Sequence, residues 1–275
     1  MPYEVVVTGA SGFIGGALVE QLKKISIPVT GLSRKKKNGL TFISSYQELD
    51  FSFSTETVLI HLAQPRDASK PSDGNEIEVC KSLVTKPWLH LIYVSSSVVY
   101  GDTKDYPREP EEIVSSTNEY AQVKLACESI VVNAGGTCLR FSNIYGLNMA
   151  SNSVISDILN QIPGDGPLFV RDKSPIRDFL WIEDAVRCLV STIFLRPVGI
   201  FNVGSGKGYS IGELAELALS IAGEENRIVV SKTDLQKKST LVLDISKTSY
   251  QLNWVPKIEL EFGLAFLIKM KKTNE

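Results

Sequence analysis

The chain has 275 residues, of which 43% are hydrophobic, and its formal net charge at pH 7 is −2. This length can bury one large core with a smaller lobe beside it, and the near-neutral charge argues against a nucleic-acid or membrane-surface partner. The four cysteines show no CxxC spacing, so we expect neither a metal centre nor a disulfide framework. No signal-like segment precedes the first strand and no apolar stretch is long enough to span a bilayer, so we expect a cytoplasmic protein.

Strand-like and helix-like segments alternate along the first half of the chain. Tyr3–Thr8 predicts a strand, and the apolar spacing of Phe13–Lys24 predicts a helix. Further strands are predicted at Pro28–Leu32, Thr57–Leu62, Leu89–Val94 and Thr137–Arg140, with helices between them at Glu76–Val84 and Tyr120–Val132. The alternation predicts an α/β fold with a doubly wound parallel sheet of Rossmann type, covered by helices on both faces.

The rhythm of the sequence changes after Gly146. Proline and glycine cluster at residues 162–167, and helical patterns follow at Glu183–Leu195, Ile211–Ala222 and Leu260–Lys269. We therefore expect one lobe over residues 1–146, with later segments near residues 177–203 woven into it. Residues 147–275 should mainly form a smaller C-terminal α/β lobe.

A glycine-rich loop joins the predicted first strand to the predicted first helix, with the sequence TGASGFIG at residues 8–15. Glycines here permit a tight turn, let backbone amides approach a pyrophosphate, and let the helix pack on the strand. A turn that merely uses glycine is the alternative interpretation. We expect a dinucleotide-binding loop, and therefore a dinucleotide-binding first lobe. The loop residues assigned to the cofactor are Gly9, Ser11, Gly12, Phe13, Ile14 and Gly15.

The second predicted strand lacks the acidic residue that usually ends it in dinucleotide-binding folds. It closes instead with Ser33 and Arg34, followed by three lysines. A carboxylate accepts hydrogen bonds from the adenosine 2′-hydroxyl, whereas an arginine with a serine suits a 2′-phosphate. A solvated basic loop is the alternative. The substitution favours NADP(H) over NAD(H) as the cofactor.

Two clusters of polar residues are candidates for catalysis: a tyrosine/lysine pair and a run of three serines. Tyr120 and Lys124 lie four residues apart at the start of a predicted helix, on one face of it. An ammonium and a cationic oxidised nicotinamide both favour the phenolate, so this pair can exchange a proton with a sugar hydroxyl. Three serines, at residues 95–97, end a predicted strand at the edge where open α/β sheets bind ligands, so one of them can hold the reacting oxygen. A surface helix and a serine-rich turn are the alternatives.

Taken together, these segments resemble the extended short-chain dehydrogenase/reductase family, within it the nucleotide-sugar epimerase/dehydratase group. The matching stretches follow the family's order almost from end to end. They are TGASGFIG (8–15), VLIHLA (58–63), IYVSSSVVYGD (92–102), YAQVK (120–124), LRFSNIYG (139–146), RDFLWIEDAV (177–186), FNVGSGKGYSIGEL (201–214) and DISK with LNWVP (244–256).

The resemblance implies a serine/tyrosine/lysine catalytic set. Ser96 falls on the catalytic hydroxyl, Tyr120 on the acid/base, and Lys124 on the residue that holds the nicotinamide ribose and lowers the pKa of the phenol. Tyr120 and Lys124 therefore also count as cofactor-binding residues. The remaining cofactor-binding residues that it implies are Asp50, Leu62 and Ala63.

The resemblance also implies a nucleotide-sugar substrate. Ser96 and Ser97 would face the sugar, while Asn143 and Arg177 match positions used towards the nucleotide diphosphate, where an arginine fork fits well. Structural alternatives stay open for the last two residues. Asn143 can cap a turn, and Arg177 can pair with either of two nearby acids, Asp178 or Asp184.

Departures from the family pattern narrow the reaction. The 4,6-dehydratases of the group carry Asp-Glu just after the catalytic hydroxyl, where this chain has Ser97 and Val98. Enzymes that epimerise at carbons three and five carry a cysteine at the position of Val98. What remains is chemistry that needs only hydride transfer and one tyrosine: reduction of a keto sugar or epimerisation at carbon four.

The leading hypothesis is NADPH-dependent reduction of a nucleotide-linked 4-keto-6-deoxy sugar. The alternative is a nucleotide-sugar 4-epimerase that keeps NAD⁺ bound. A non-catalytic dinucleotide sensor on the same fold is a third hypothesis, which the presence of Tyr120 and Lys124 disfavours. Family members often dimerise through helices corresponding to Glu76–Val84 and Tyr120–Val132, so a homodimer is expected unless these apolar faces are ordinary core.

Overall fold

The computed structural model describes residues 4–47, 49, 55–63, 76–114, 116, 118–233 and 239–274. Thirteen strands occur within these residues. They are β1 (Glu4–Thr8), β2 (Val29–Ser33), β3 (Thr41–Phe42), β4 (Thr57–His61), β5 (His90–Ser96), β6 (Thr137–Phe141), β7 (Asn143–Tyr145), β8 (Leu168–Val170), β9 (Ile176–Trp181), β10 (Gly199–Val203), β11 (Gly208–Ser210), β12 (Val229–Ser231) and β13 (Thr240–Leu241).

Eight α-helices and one 3₁₀ helix lie between the described strands. The α-helices are α1 (Phe13–Lys24), α2 (Glu76–Val84), α3 (Glu119–Asn133), α4 (Val154–Leu159), α5 (Ile182–Leu195), α6 (Ile211–Ala222), α7 (Ser246–Gln251) and α8 (Leu260–Asn274). The 3₁₀ helix is Ser97–Tyr100. No helix in the described ranges is long and apolar enough to cross a membrane.

The largest described sheet has seven strands in the order β10-β6-β5-β4-β1-β2-β3, and every pair in it is parallel. The chain moves outward from β1 to β3 and then returns to the other side of β1 to form β4. The strand order therefore reverses between β1 and β4, and the crevice at their carboxyl ends is where such sheets bind ligands. The predicted doubly wound α/β fold is confirmed.

The sheet is buried on both faces because its strands are apolar throughout. On β1, Val5 and Val7 join the apolar core on one face, whereas Val6 joins the core on the other. Helices α1 and α5 pack together over the first face, and α2 and α3 pack together over the second. The two-residue period of the strand thus feeds two separate cores.

The second half of the chain builds smaller sheets. One contains β7, β9, β11 and β13, and β8 pairs with β12 in another. Of the later segments expected to interweave with the first lobe, β10 joins the large sheet, while β9 joins the second sheet. We propose the lobe boundary near Gly146 on this basis, since the chain leaves the large sheet at the end of β6 and, within the described residues, returns to it through β10.

Candidate active site

The glycine-rich loop is held so tightly that side chains are excluded at two positions. Gly9 has φ +68°, and a Cβ on it would lie 2.8 Å from the backbone nitrogen of Ala63, just past β4. A Cβ on Gly15 would lie 2.4 Å from the carbonyl oxygen of Gly9. The first glycine therefore permits the turn beside β4, and the third lets α1 start directly against the turn.

The first turn of α1 presents backbone amides that no side chain caps. Its N-cap residue, Gly12, makes no side-chain cap, and the first turn, which begins with Phe13 and Ile14, contains no acidic residue. The amides at this helix end carry the positive end of the helix dipole. The loop has no space for a Cβ at Gly9 or Gly15, and the N-terminus of α1 has no side-chain cap. This arrangement of free backbone amides fits the pyrophosphate of a dinucleotide.

The end of β2 contacts this loop. Ser33 is buried, and its hydroxyl donates to Ser11 Oγ at 2.9 Å while accepting the Lys35 amide at 3.0 Å. Arg34 is exposed, with its guanidinium carbon 5.5 Å from the ring centre of Tyr46. The Tyr46 hydroxyl in turn accepts the Gly9 amide at 3.2 Å. Arg34 thus lies near the loop through its contact with Tyr46, whereas Ser33 bonds to the loop directly. The part played by Tyr46 was not predicted.

The end of β4 is tied to the end of β1. Thr8 Oγ1 accepts the amides of Leu62 and Ala63, each at 3.2 Å, and lies 2.8 Å from His61 Nδ1. Leu62 and Ala63 therefore lie beside the glycine loop, at the predicted cofactor site. Asp50, also assigned to the cofactor, lies outside the described residues.

The three serines at the end of β5 enter different environments. Ser95 is buried and donates to Glu128 Oε1 at 2.5 Å, which ties β5 to α3. Ser96 is partly exposed, and its Oγ accepts the Val98 amide at 3.3 Å as the cap of the 3₁₀ helix. Ser97 is buried. Since the bond from Val98 uses a lone pair of Ser96, the hydroxyl hydrogen of Ser96 can be donated to a substrate oxygen.

Tyr120 lies in the first turn of α3. The N-cap of this helix is Asn118, whose side-chain oxygen accepts a hydrogen bond from the Ala121 amide at 3.2 Å. Burial raises the pKa of Tyr120 to about 12, and the negative charge of Glu76 acts in the same direction. That Lys124 lowers the pKa of this phenol stays a prediction. The phenol is protonated at neutral pH.

The Lys124 ammonium lies in a buried cluster with Glu76 and Tyr93. This lysine is fully buried, and its Nζ donates to Glu76 Oε1 and to the Tyr93 hydroxyl, both at 2.8 Å. Tyr93 donates to the same Glu76 oxygen at 2.6 Å. The Nζ atom is 5.6 Å from the ring centre of Tyr120, so tyrosine and lysine are neighbours as predicted, but the ammonium is paired with a carboxylate.

Sequence reasoning missed Glu76 and Tyr93. An acidic residue in the first turn of a helix is ordinary, and an aromatic residue in a strand is ordinary as well. Only the packing of α2 and α3 against β5 reveals that these side chains meet Lys124. Contact between Lys124 and a nicotinamide ribose stays a prediction.

The predicted diphosphate-binding residues both line a cavity of about 900 Å³ between the second sheet and α4. Asn143 is exposed, and its amide donates to the Asp178 carbonyl at 2.9 Å. Arg177 donates to Asp102 Oδ2 at 3.3 Å and to Ser239 Oγ at 2.7 Å. The cavity wall also includes Phe169, Arg171 and Lys232, which the sequence analysis did not single out.

The alternative that Arg177 pairs with Asp178 or Asp184 is wrong, because both carboxylates have other partners. The carboxylate of Asp178 accepts the amides of Ser205 and Gly206, at 2.7 and 3.1 Å. Asp184 pairs with Arg187. Arg177 instead reaches across to Asp102, at the end of the segment that carries the serines.

Strand register links the cavity to the predicted catalytic residues, although Ser96, Tyr120 and Lys124 are not in its wall. Ser96 on β5 is paired with Phe141 on β6, and Asn143 in the cavity wall follows two residues later. Between them, Ser142 has a buried Oγ with no hydrogen-bond partner among the described residues. The cavity and the end of β5 are therefore adjacent, with an unsatisfied hydroxyl where they meet.

Comparison with known proteins agrees with this geometry. Residues 5–204 match the NAD dependent epimerase/dehydratase family. The dTDP-4-dehydro-6-deoxyglucose reductase of Escherichia coli is 26% identical over 306 residues, covering 96% of this chain and 96% of the relative.

Solved structures share the fold over nearly the whole chain. The UDP-glucose 4-epimerase of Thermotoga maritima, determined with UDP-glucose, superposes with a TM-score of 0.84 at 21% identity, covering 99% of this chain and 100% of the other. The UDP-glucuronic acid 4-epimerase of Bacillus cereus, determined with UDP-glucuronic acid and NAD, gives a TM-score of 0.82 at 22% identity, covering 99% and 100%. With its matched residues spanning both the glycine loop and the segments that carry Ser96, Tyr120 and Lys124, this chain belongs to the NAD dependent epimerase/dehydratase family of nucleotide-sugar enzymes.

Proposed function

We propose that this chain reduces a nucleotide-linked 4-keto-6-deoxy sugar, with NADPH as the reductant. The observation that carries the proposal is that the residues after Ser96 supply no second acid or base, since Ser97 is buried and Val98 carries no ionisable group. Tyr120 is a phenol and is protonated at neutral pH, so it can give the proton that reduction of a ketone requires. The similarity to an E. coli dTDP-4-dehydro-6-deoxyglucose reductase supports the same direction.

The chain's own residues would divide the work in the following way. The glycine loop and the uncapped N-terminus of α1 bind the pyrophosphate of the dinucleotide, which supplies a hydride to the carbonyl carbon when it is bound. Ser96 donates a hydrogen bond that orients the carbonyl oxygen and stabilises the negative charge developing on it. Tyr120 Oη then gives its proton to that oxygen, which completes the alcohol.

The residues that follow Ser96 support a reaction limited to these steps. Ser97 is buried and Val98 carries no ionisable group, so neither supplies an acid or base for loss of water from the sugar. Inversion at a carbon beside the ketone requires a further proton-transferring group, and Val98 lacks one. Hydride transfer and one proton from Tyr120 remain sufficient for reduction.

Two features support NADPH over NADH. Arg34 is exposed beside the glycine loop, and a guanidinium binds a 2′-phosphate through paired hydrogen bonds. The buried hydroxyl of Ser33 keeps the end of β2 against Ser11 and so places Arg34 there. We infer that Arg34 makes the contact with the 2′-phosphate and that Ser33 positions it.

The cavity of about 900 Å³ supports the proposal that the substrate sugar carries a nucleotide. Three cationic side chains in its wall, from Arg171, Arg177 and Lys232, suit a diphosphate, and the half-exposed ring of Phe169 offers a face to a base. Asp172 in the same wall offers hydrogen-bond acceptors. Asn143, between cavity and catalytic residues, would contact the diphosphate near the sugar.

A second candidate is a nucleotide-sugar 4-epimerase that retains NAD⁺. The specific observation in its favour is that both compared structures are 4-epimerases and share the fold over 99% of this chain. The same Ser96, Tyr120 and Lys124 would serve oxidation followed by reduction at carbon four, so these residues do not separate the two reactions. The fate of the cofactor separates them.

The decisive experiment incubates the purified chain with UDP-glucose, UDP-N-acetylglucosamine and a 4-keto-6-deoxy sugar nucleotide, with NADPH or NADH. Absorbance of the reduced nicotinamide and NMR of the products are followed together. We expect NADPH to be consumed in proportion to an alcohol formed from the keto sugar. Conversion of a UDP-sugar to its 4-epimer without added cofactor, with nucleotide released on denaturation, would replace reduction by epimerisation.

We also propose a division of binding between the two lobes, a homodimer and a cytoplasmic location. Residues 1–146 would bind the dinucleotide and residues 147–275 mainly the sugar nucleotide. A homodimer would form through α2 and α3. A cytoplasmic location would fit an enzyme that draws on the NADPH pool. Sedimentation of the purified chain tests the dimer directly.

A further inference from the structure

We propose that Tyr46 is a positioning residue for the cofactor, whose ring holds the Arg34 guanidinium ready for a 2′-phosphate while its hydroxyl holds the amide of Gly9. This inference rests on the proposed preference of the chain for NADPH. It goes beyond that proposal because it assigns part of the preference to a residue outside both the glycine loop and the end of β2.

Arg34 directly follows β2 and is exposed. An exposed arginine adopts many rotamers, so ordering it on a phosphate costs conformational entropy. Its guanidinium carbon lies 5.5 Å from the ring centre of Tyr46, within the range of a cation–π contact. An arginine that already rests on a ring loses less freedom when it forms paired hydrogen bonds with a phosphate. The contact with Tyr46 therefore prepares Arg34 for the ligand.

The ring of Tyr46 is itself held in place. Tyr46 is only 8% exposed, and its hydroxyl accepts the Gly9 amide at 3.2 Å. Its ring also meets the ring of His61 edge-on, with the ring centres 6.0 Å apart. His61 Nδ1 in turn lies 2.8 Å from Thr8 Oγ1, at the end of β1. Tyr46 is therefore anchored both to the glycine loop and to the end of β4, the two elements that border the proposed cofactor site.

The two contacts of Tyr46 should affect cofactor binding in different ways. The bond to Gly9 steadies the loop on which both cofactors are expected to place their pyrophosphate, so its loss should weaken NADPH and NADH alike. The contact with Arg34 concerns only the cofactor with a 2′-phosphate, because NADH has a hydroxyl there. A residue that merely filled the core would change both affinities by the same factor. The ratio of the two affinities therefore reports the positioning of Arg34.

The test compares Tyr46→Phe with Tyr46→Leu. The first variant keeps the ring next to Arg34 and removes the hydroxyl, whereas the second removes both. Phe42→Leu is the matched control. Phe42 is half-exposed on β3, and its ring centre lies 5.8 Å from Nζ of Lys36, a second cation in the same basic segment. This control removes an aromatic ring from beside a cation without touching Arg34.

Fluorescence titration measures the dissociation constants of NADPH and NADH for each purified variant, in the absence of substrate. In Tyr46→Phe we expect both affinities to fall by about two- to tenfold, with their ratio retained. In Tyr46→Leu the ratio should change as well, by about two- to fivefold against NADPH. Phe42→Leu should leave both affinities and their ratio unchanged.

A double-mutant cycle with Arg34→Ala tests whether Tyr46 acts through Arg34. Arg34→Ala alone should lower the preference for NADPH. Adding Tyr46→Leu should lower that preference no further, because the guanidinium that the ring positions is already gone. A further loss of preference, as large as in Tyr46→Leu alone, would overturn the proposal.

The outcomes separate this inference from the proposed function. A preference for NADPH that Arg34→Ala removes and Tyr46→Leu leaves intact would overturn the inference alone. An unmodified chain that binds NADPH no better than NADH would overturn both the inference and the NADPH proposal. Because the titrations need no turnover, the expected ratios in a chain that reduces no keto sugar would keep Tyr46 as assigned and remove the reductase proposal.

Tyr46→Met takes the place of Tyr46→Leu if the latter does not fold. Its unbranched, flexible side chain fills more of the space that the ring leaves, and it offers Arg34 no aromatic face. The same change of ratio against NADPH is expected, and an unchanged ratio in Tyr46→Met would overturn the proposal.

Discussion

Tyr120 is the residue on which the proposed reaction depends most directly. Replacing it with phenylalanine removes the proton donor and keeps the ring, so we expect turnover to fall by about 10²–10⁴-fold. Because the pyrophosphate is expected to bind at the glycine loop, dinucleotide affinity should be largely retained. Steady-state kinetics and a fluorescence titration measure the two quantities. Near-normal turnover of the purified variant would remove Tyr120 from the mechanism.

Arg34 decides the proposed preference between the two nicotinamide cofactors. Arg34→Asp replaces a side chain that can bind a 2′-phosphate with one that repels it and can accept a bond from a ribose hydroxyl. The preference should shift from NADPH towards NADH by about 1–3 kcal/mol, the strength of a charge-assisted hydrogen bond. The ratio of the two dissociation constants measures the shift. An unchanged ratio would leave Arg34 as solvated surface stacked on Tyr46.

The junction between β1 and α1 leaves no room for a side chain at Gly15. In Gly15→Ala the new Cβ would lie 2.4 Å from the Gly9 carbonyl, so the helix must move away from the loop. We expect a loss of about 1–3 kcal/mol in the free energy of unfolding and a fall of about tenfold or more in dinucleotide affinity. Chemical denaturation and a binding titration measure the two.

The neighbouring glycine provides the control for this prediction. A Cβ on Gly16 would lie 3.7 Å from the nearest atom, the Ala10 carbonyl oxygen, which is an ordinary contact. Gly16→Ala should therefore leave dinucleotide binding unchanged and add about 0.5–1 kcal/mol of stability through helix propensity. Equal effects of the two substitutions would show that close packing against Gly9 is not what Gly15 provides.

Sequence periodicity located the longer elements in both halves of the chain. The predicted helices Phe13–Lys24, Glu76–Val84 and Ile211–Ala222 have the observed bounds, and the predicted strands Thr57–Leu62 and Leu89–Val94 lie within two residues of theirs. Such segments are long or strongly apolar, and their local pattern agrees with their burial. Short strands such as β3 were not predicted, because two residues contain no period.

At the scale of the whole molecule, two buried histidines should make stability depend on pH. Burial lowers the pKa of His61 and of His90 to about 4. In the unfolded chain each histidine takes up a proton near its ordinary pKa of about 6.5, whereas the folded chain keeps both neutral. Stability is therefore complete above about pH 6.5 and falls as the pH drops towards 4, because the unfolded state binds more protons.

Urea denaturation at several pH values between about 6.5 and 5, above the range of most carboxylates, measures this slope. The free energy of unfolding should fall by up to about 1.4 kcal/mol per pH unit for each histidine. The variant His61→Asn removes one titrating group and should roughly halve the slope. A slope that the substitution leaves unaltered would mean that His61 is protonated in the folded chain.

The sequence alone determined the parallel sheet and the position of the glycine loop, because local period and motif order indicate them directly. It predicts Ser96, Tyr120 and Lys124 as the catalytic set from the order of the motifs. It did not determine their electrostatics. It did not reveal that α2 brings Glu76 against Lys124, 48 residues away along the chain, in a buried ion pair. Only the tertiary structure decides which charges become neighbours in a buried interior.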